Sequence, residues 1–117
     1  MKIVNCTAHP CTIGGVTYMP SGSPARVSVV SKKVREIDGI PVYREEIDHA
    51  FNVPAPEDDT VFIVSRLVCE AEWGRDDLVF PTQLRRNSQG QVVGANAFGT
   101  CYDDDDDNDD PYYEEEQ

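Results

Sequence analysis

The chain has no unbroken apolar run near the roughly 18 residues that a membrane-spanning helix needs. Its opening, MKIVNCTAHP, carries one lysine and no extended apolar core, so no secretory leader is expected and the cytoplasm is the expected compartment. There is no G-x-x-x-x-G-K phosphate loop and no H-E-x-x-H metal helix. The four cysteines, Cys6, Cys11, Cys69 and Cys101, contain no C-x-x-C pair. Cys6 and Cys11 are five apart, a spacing that suits neither a zinc knuckle nor a dithiol redox motif. Without a leader a disulfide framework is not expected, and the thiols read as small buried hydrophobes. Nothing in the spacing sets His9 or His49 beside them, so neither a metal nor a cofactor is expected.

Positive charge is also scarce. The 117 residues hold 22 acids against 10 bases, and no base follows Arg86. Residues 103–117, DDDDDNDDPYYEEEQ, hold ten of the acids. The remaining twelve acids and all ten bases lie in residues 1–102, leaving that part at −2 and the tail at −10. The expected organisation is therefore one compact β-rich domain, residues 1–102, followed by an acidic tail, residues 103–117, that repels itself and stays extended. A domain of about 100 residues can bury enough apolar surface to fold alone.

What is there reads mostly as strand. KIVNC opens extended, and alternation would place Asn5, Thr7 and His9 on one face with Cys6 and Ala8 on the other. Pro10 ends that ladder. Gly14-Gly15 between β-formers predicts a hairpin, and the PSGSP of residues 20–24 predicts a loop. ARVSVV predicts one strand, Ser31-Lys32-Lys33 a polar interruption and VREI another strand. Asp38-Gly39 then turns the chain into GIPVYREEI, where Pro41 points to an edge position. NVPAPEDD is a solvated loop, and TVFIVS is a central strand buried on both faces. Residues 65–73 predict a short helix capped by Ser65 and stopped by Gly74. RDDLVFP predicts a short extended piece ended by Pro81. The last hairpin turns at Asn87-Ser88-Gln89-Gly90. The expected fold class is a β-rich α+β domain with about seven strands in hairpins and one short helix.

Several of these segments carry a resemblance: NCTAHPCTI, PSGSPARV, TVFIVSRLV, RDDLVFP and QGQVVGANAFG. Together they resemble a family of short, largely uncharacterised bacteriophage and bacterial proteins with an N-x-T-x-H-P start. The family opening usually resembles N-L-T-P-H; Cys6 and Ala8 stand here at the Leu and Pro positions. The resemblance covers nearly all of residues 1–102 and excludes the tail. It implies a viral or mobile-element accessory protein, acting in the host cytoplasm, and supplies no catalytic residue.

Two residue sets are candidates for a ligand. Asn5, Thr7 and His9 offer an amide, a hydroxyl and an imidazole, either to a polar ligand or to the backbone of the following loop. Ser65, Arg66 and Arg75 lie at the end of the central strand and the start of the helix, where an anion such as a nucleotide phosphate can be held. Asp76 and Asp77 belong to the same set, and Arg75 equally reads as an ion-pair partner for its neighbouring acids. No Ser or Cys nucleophile has an obvious orienting carboxylate, so binding is expected ahead of catalysis, with a hydrolase using His9 as base the remaining alternative.

The tail offers a partner-binding set: Asp103, Asp104, Asp105, Asp106, Asp107, Asp109 and Asp110, with Tyr112 and Tyr113. Its carboxylates can imitate nucleic-acid phosphates towards a basic host protein, collect Ca²⁺ loosely, dock on Lys32, Lys33 and Arg35 or on Arg85 and Arg86, or only keep the chain soluble. The glycine and closing glutamate of an EF-hand loop are missing. A body at −2 opposes direct nucleic-acid binding. The first expectation is a non-enzymatic binder that neutralises a host factor by sequestering a small anionic, nucleotide-like ligand, possible as a homo-oligomer. The alternative is inhibition of a host DNA- or RNA-binding protein through the tail.

Overall fold

A computed structural model describes residues 1–102. In chain order these form β1 (Lys2–Asn5), β2 (Cys11–Ile13), β3 (Val16–Tyr18), β4 (Arg26–Ile37), β5 (Ile40–Phe51), β6 (Thr60–Ile63), α1 (Arg66–Ala71), β7 (Leu78–Arg86) and β8 (Val92–Gly99). The fold is β-rich α+β, as the residue pattern predicts. No helix among the described residues is long and apolar enough to cross a membrane.

Six strands make one sheet in the order β1-β6-β7-β8-β2-β3. Its two edges meet. Asn5, the last residue of β1, bridges Pro20 just beyond β3, and the Ser21 amide donates to the Asn5 carbonyl at 2.9 Å. The sheet is thus curled into a small barrel. Its interior is a single apolar cluster to which every strand contributes: Ile3, Cys11, Ile13, Tyr18, Ile63, Val79 and Ala95. The outer face of β1, β6 and β7 carries the second cluster. There Cys6, Phe62, Val64 and Leu78 pack against Val68 and Cys69 of α1, and Ala25, Val27, Ala50 and Val53 close around them. Phe62 and Val64 point to one cluster and Ile63 to the other, so β6 is buried on both faces, as its unbroken β-branched and aromatic run predicts.

β6, α1 and β7 form a β-α-β unit with parallel strands. Ser65 caps the helix, its hydroxyl accepting from the Val68 amide at 3.3 Å. Along β7, Gln83 has φ of 52°, an uncommon value for a side-chain-bearing residue. It bends the strand that carries the sheet from its β6 side to its β8 side. The Phe80 ring lies against Gly99, where an added Cβ would sit 2.6 Å from it.

β4 and β5 stand apart as a two-stranded antiparallel ribbon, twelve residues each. Asp38 and Gly39, with φ of 50° and 77°, supply the two left-handed residues of the tight turn at its tip. Only the root of the ribbon, Val27 and Ala50, reaches the core.

Three expectations are corrected. Thr7 and His9 do not continue β1, which ends at Asn5; the chain bends over residues 7–9, so the shared strand face of Asn5, Thr7 and His9 does not form. Ser31-Lys32-Lys33 does not interrupt a strand, because residues 26–37 form one strand that pairs along its length with β5. Pro81 does not end β7; it enters after β6 has stopped opposite Val79, where β7 has one neighbour and a proline is tolerated. Beside the antiparallel hairpins β2–β3, β4–β5 and β7–β8, three strand pairs, β1–β6, β6–β7 and β2–β8, are parallel.

Candidate functional site

Asn5 is almost wholly buried at the barrel seam. Its side-chain amide donates to the Tyr18 carbonyl at 2.9 Å and to the His9 carbonyl at 2.8 Å. Its side-chain oxygen accepts from the Thr7 amide at 2.9 Å and the Thr7 hydroxyl at 2.7 Å. The Thr7 hydroxyl also lies 2.9 Å from the His9 carbonyl. Asn5 therefore ties the end of β1 to the end of β3 and folds residues 7–9 back on themselves. Both donors and the acceptor of its amide are occupied, which is the backbone-satisfying role of this set. The His9 ring is exposed and makes no hydrogen bond among the described residues.

Arg75 is also committed within the protein. Its Nε and Nη2 donate to the two carboxylate oxygens of Asp77 at 2.9 and 2.6 Å, and its Nη1 donates to the Pro54 carbonyl at 2.7 Å. The pair is largely buried, at 19% and 14% side-chain exposure. Hydrogen bonding to Asp77 raises the already high pKa of the guanidinium. The bidentate pair fixes the guanidinium, and its Nη1 bond to Pro54 pins the loop before β6 to the turn after α1. Asp76 is exposed beside it. Arg66 is exposed, donates to Glu70 at 3.2 Å and lies 5.8 Å from the centroid of the Phe80 ring. Ser65 is the helix cap described above. Each predicted residue thus has a local structural partner, except His9 and Asp76, whose side chains are free among the described residues. The tail set, Asp103, Asp104, Asp105, Asp106, Asp107, Asp109, Asp110, Tyr112 and Tyr113, lies outside the described residues.

The open cavity lies beside these residues rather than among them. A depression of about 400 Å³ is bounded by β1, β6 and the loops around Ser21 and Pro54. Val4, Cys6, Val53, Pro54 and Phe62 form its apolar floor. Lys2, Ser21, Ser23, Asn52 and Glu57 form a polar, exposed rim. Lys2, Ser23, Asn52 and Glu57 make no side-chain hydrogen bond or ion pair among the described residues. Burial raises the pKa of Cys6, with a hydrogen bond to Ser21 acting against it, so the thiol stays protonated at neutral pH. Lys2 is the one cation on the rim. Sequence reasoning placed Ser21, Ser23 and Asn52 in two separate loops. No local signal says that those loops meet over β1. The left-handed backbone of Asn52, φ 58°, becomes visible only in the fold.

One arrangement has the composition of a catalytic triad and not its geometry. The Ser28 hydroxyl and the Asp48 carboxylate both contact the same His49 nitrogen, Nδ1, at 3.0 and 2.9 Å. A relay needs the hydroxyl on one ring nitrogen and the carboxylate on the other. At the ribbon's root Asp48 and His49 are exposed and Ser28 is half-buried. Among the described residues no group of three His, Cys, Asp or Glu side chains is placed to hold a metal ion.

Comparison with protein-family models, with curated proteins and with solved structures yields no match.

Proposed function

We propose that the protein acts by binding: a phage accessory protein that neutralises a host factor by sequestering a small anionic, nucleotide-like ligand in the depression beside β1. The observation that carries this reading is the pairing of an apolar floor with an exposed polar rim that holds one cation, Lys2, beside one carboxylate, Glu57. A volume of about 400 Å³ falls within the range of small-ligand sites, roughly 300–1,000 Å³. Phe62, Val53 and Pro54 offer a surface for a flat apolar ring. Lys2 offers charge to a phosphate, and Ser21, Ser23 and Asn52 offer hydrogen bonds to phosphate or sugar oxygens. Of the residues first considered, Asn5 and Arg75 support this site from behind by holding the β1 end and the Pro54 loop in place.

The test is a thermal melt with adenosine and guanosine mono- and diphosphates, followed by heat release of metabolites captured from a cell extract and mass spectrometry. The expected result is a rise in Tm of several degrees with at least one nucleotide, removed by Lys2→Glu, and recovery of that nucleotide intact. Recovery of a converted product means an enzyme. An empty extract with no shift in Tm overturns the reading.

A further inference from the structure

The depression beside β1 has a direction. Lys2, Val4 and Cys6 alternate along the extended chain and share one face, and all three line it. From Lys2 to Cys6 the floor runs about 13 Å at strand rise, with Phe62 opposite Val4 in the β1–β6 register. Ser21 and Ser23 border the Cys6 end, where the Ser21 amide donates to the Asn5 carbonyl. The charge is at the other end. Lys2 pairs with Thr60, and its amide donates to the Asp59 carbonyl at 2.8 Å, which brings residues 57–59 alongside. Among the described residues Lys2 and Glu57 are the only charged side chains that line the depression. Around them Asp58 is exposed, Asp59 is paired with the Met1 amino group at 3.2 Å, and Arg75, which holds the Pro54 carbonyl, is paired with Asp77. That end is therefore no simple anion trap: its cation stands beside a carboxylate.

We infer, resting on the reading of this depression as a nucleotide site, that Glu57 makes it selective for a ribonucleoside carrying a single phosphate. An ionised carboxylate accepts hydrogen bonds and donates none, so it needs a donor on the ligand. In a nucleotide whose phosphate reaches Lys2, the donors nearest that phosphate are the ribose hydroxyls. The amino group of a base lies on the far side of the sugar, towards the apolar floor and the Ser21 end. Glu57 thus accepts from the ribose hydroxyls. The same carboxylate opposes any charge beyond what Lys2 balances. A second or third phosphate adds negative charge beside Glu57 and Asp58, and no further cation lines the depression to meet it. One side chain therefore sets two preferences, for ribose over deoxyribose and for one phosphate over several.

Isothermal titration of the full chain, without divalent cations, tests this with the mono-, di- and triphosphates of adenosine and guanosine and with the 2′-deoxy monophosphates. The better-bound monophosphate should bind about tenfold more tightly than its triphosphate at low salt, the gap closing as ionic strength rises. It should bind about fivefold more tightly than its 2′-deoxy form. Glu57→Gln should bring mono- and triphosphate to within about twofold of each other, and Glu57→Ala should also erase the ribose preference. Glu57 is exposed, so both variants should melt like the parent chain when no ligand is present. A triphosphate or a 2′-deoxy form that binds as tightly as the ribonucleoside monophosphate overturns the inference and leaves the nucleotide site standing. Preferences that persist unchanged in the Glu57 variants do the same. No heat of binding with any of these nucleotides overturns the inference and the site together.

Discussion

The barrel and the ribbon are built from similar residues and behave as two materials. In the barrel, β-branched and aliphatic side chains disappear: Ile63, Val64 and Val68 are fully buried and Leu78 is 1% exposed. In the ribbon, Val29, Val30, Val34, Ile37, Ile40, Tyr43 and Ile47 all remain exposed. Propensity for extended backbone is equal in both. What differs is a second layer. Every barrel strand feeds one shared interior, and β1, β6 and β7 are covered again by α1. Among the described residues the ribbon has no third strand and no covering helix beyond its root. Isolated two-stranded ribbons are marginal in water. Stability thus resides in the barrel, and the ribbon is a surface presented by it.

The largest effect that would break this comparison is in the shared core. Leu78→Ala removes a side chain packed between β6 and α1 and should cost about 3–4 kcal/mol. For a domain of this size that lowers Tm by roughly 15–25 °C. A loss under about 1 kcal/mol, read from urea melts, would show that the barrel is not the stable unit.

Next comes the seam. Asn5→Ala removes four hydrogen bonds. It leaves the Tyr18 and His9 carbonyls without that partner and should cost about 2–3 kcal/mol. Asn5→Asp keeps the acceptor and loses both donors, so it should be no milder. If Asn5→Ala instead melts like the parent chain, the barrel does not depend on its clasp. This residue also shows what the sequence conceals. Asn5, Thr7 and His9 alternate as a strand face should, yet the strand ends at the first of them. Three of the four Asn5 bonds are local, to Thr7 and His9, and match the loop-satisfying reading of these residues; the fourth, to the Tyr18 carbonyl thirteen positions away, has no local signal. Features set by neighbours in sequence were legible: the Ser65 cap, the Asp38-Gly39 turn, the doubly buried β6. Parallel pairing, barrel closure and the meeting of the Ser21 and Pro54 loops were not, because each depends on strands far apart in the chain.

A smaller effect sharpens the comparison through pH. Cys69 is buried against Cys101 and its pKa is pushed from 9.0 to about 11, chiefly by burial. The folded state therefore holds its proton more tightly than the unfolded chain. The associated stability is complete below about pH 9, and it is lost as pH rises through the folded value of about 11. The loss should approach about 2 kcal/mol. Cys69→Ala should flatten that part of the stability–pH curve relative to the parent chain. An unchanged slope between pH 9 and 11 would mean that the α1–β7 layer is open to water.

The smallest expected effect lies in the ribbon, and there the near absence of a change is informative. Ile37 and Ile40 face each other at the tip, 51% and 67% exposed. Ile37→Ser or Ile40→Ser removes no buried contact, so global stability should move by less than about 0.5 kcal/mol. The local consequence is larger than the global one. Amides of residues 30–45 are held by a single ladder and can open without disturbing the barrel. Their hydrogen exchange should be much faster than at Phe62 and Ile63, which exchange only when the whole domain unfolds. Sub-denaturing urea then separates ribbon from barrel. It should speed exchange in residues 30–45 and leave β6 unchanged. If both regions respond alike, the ribbon opens together with the barrel and the two regions are one cooperative unit.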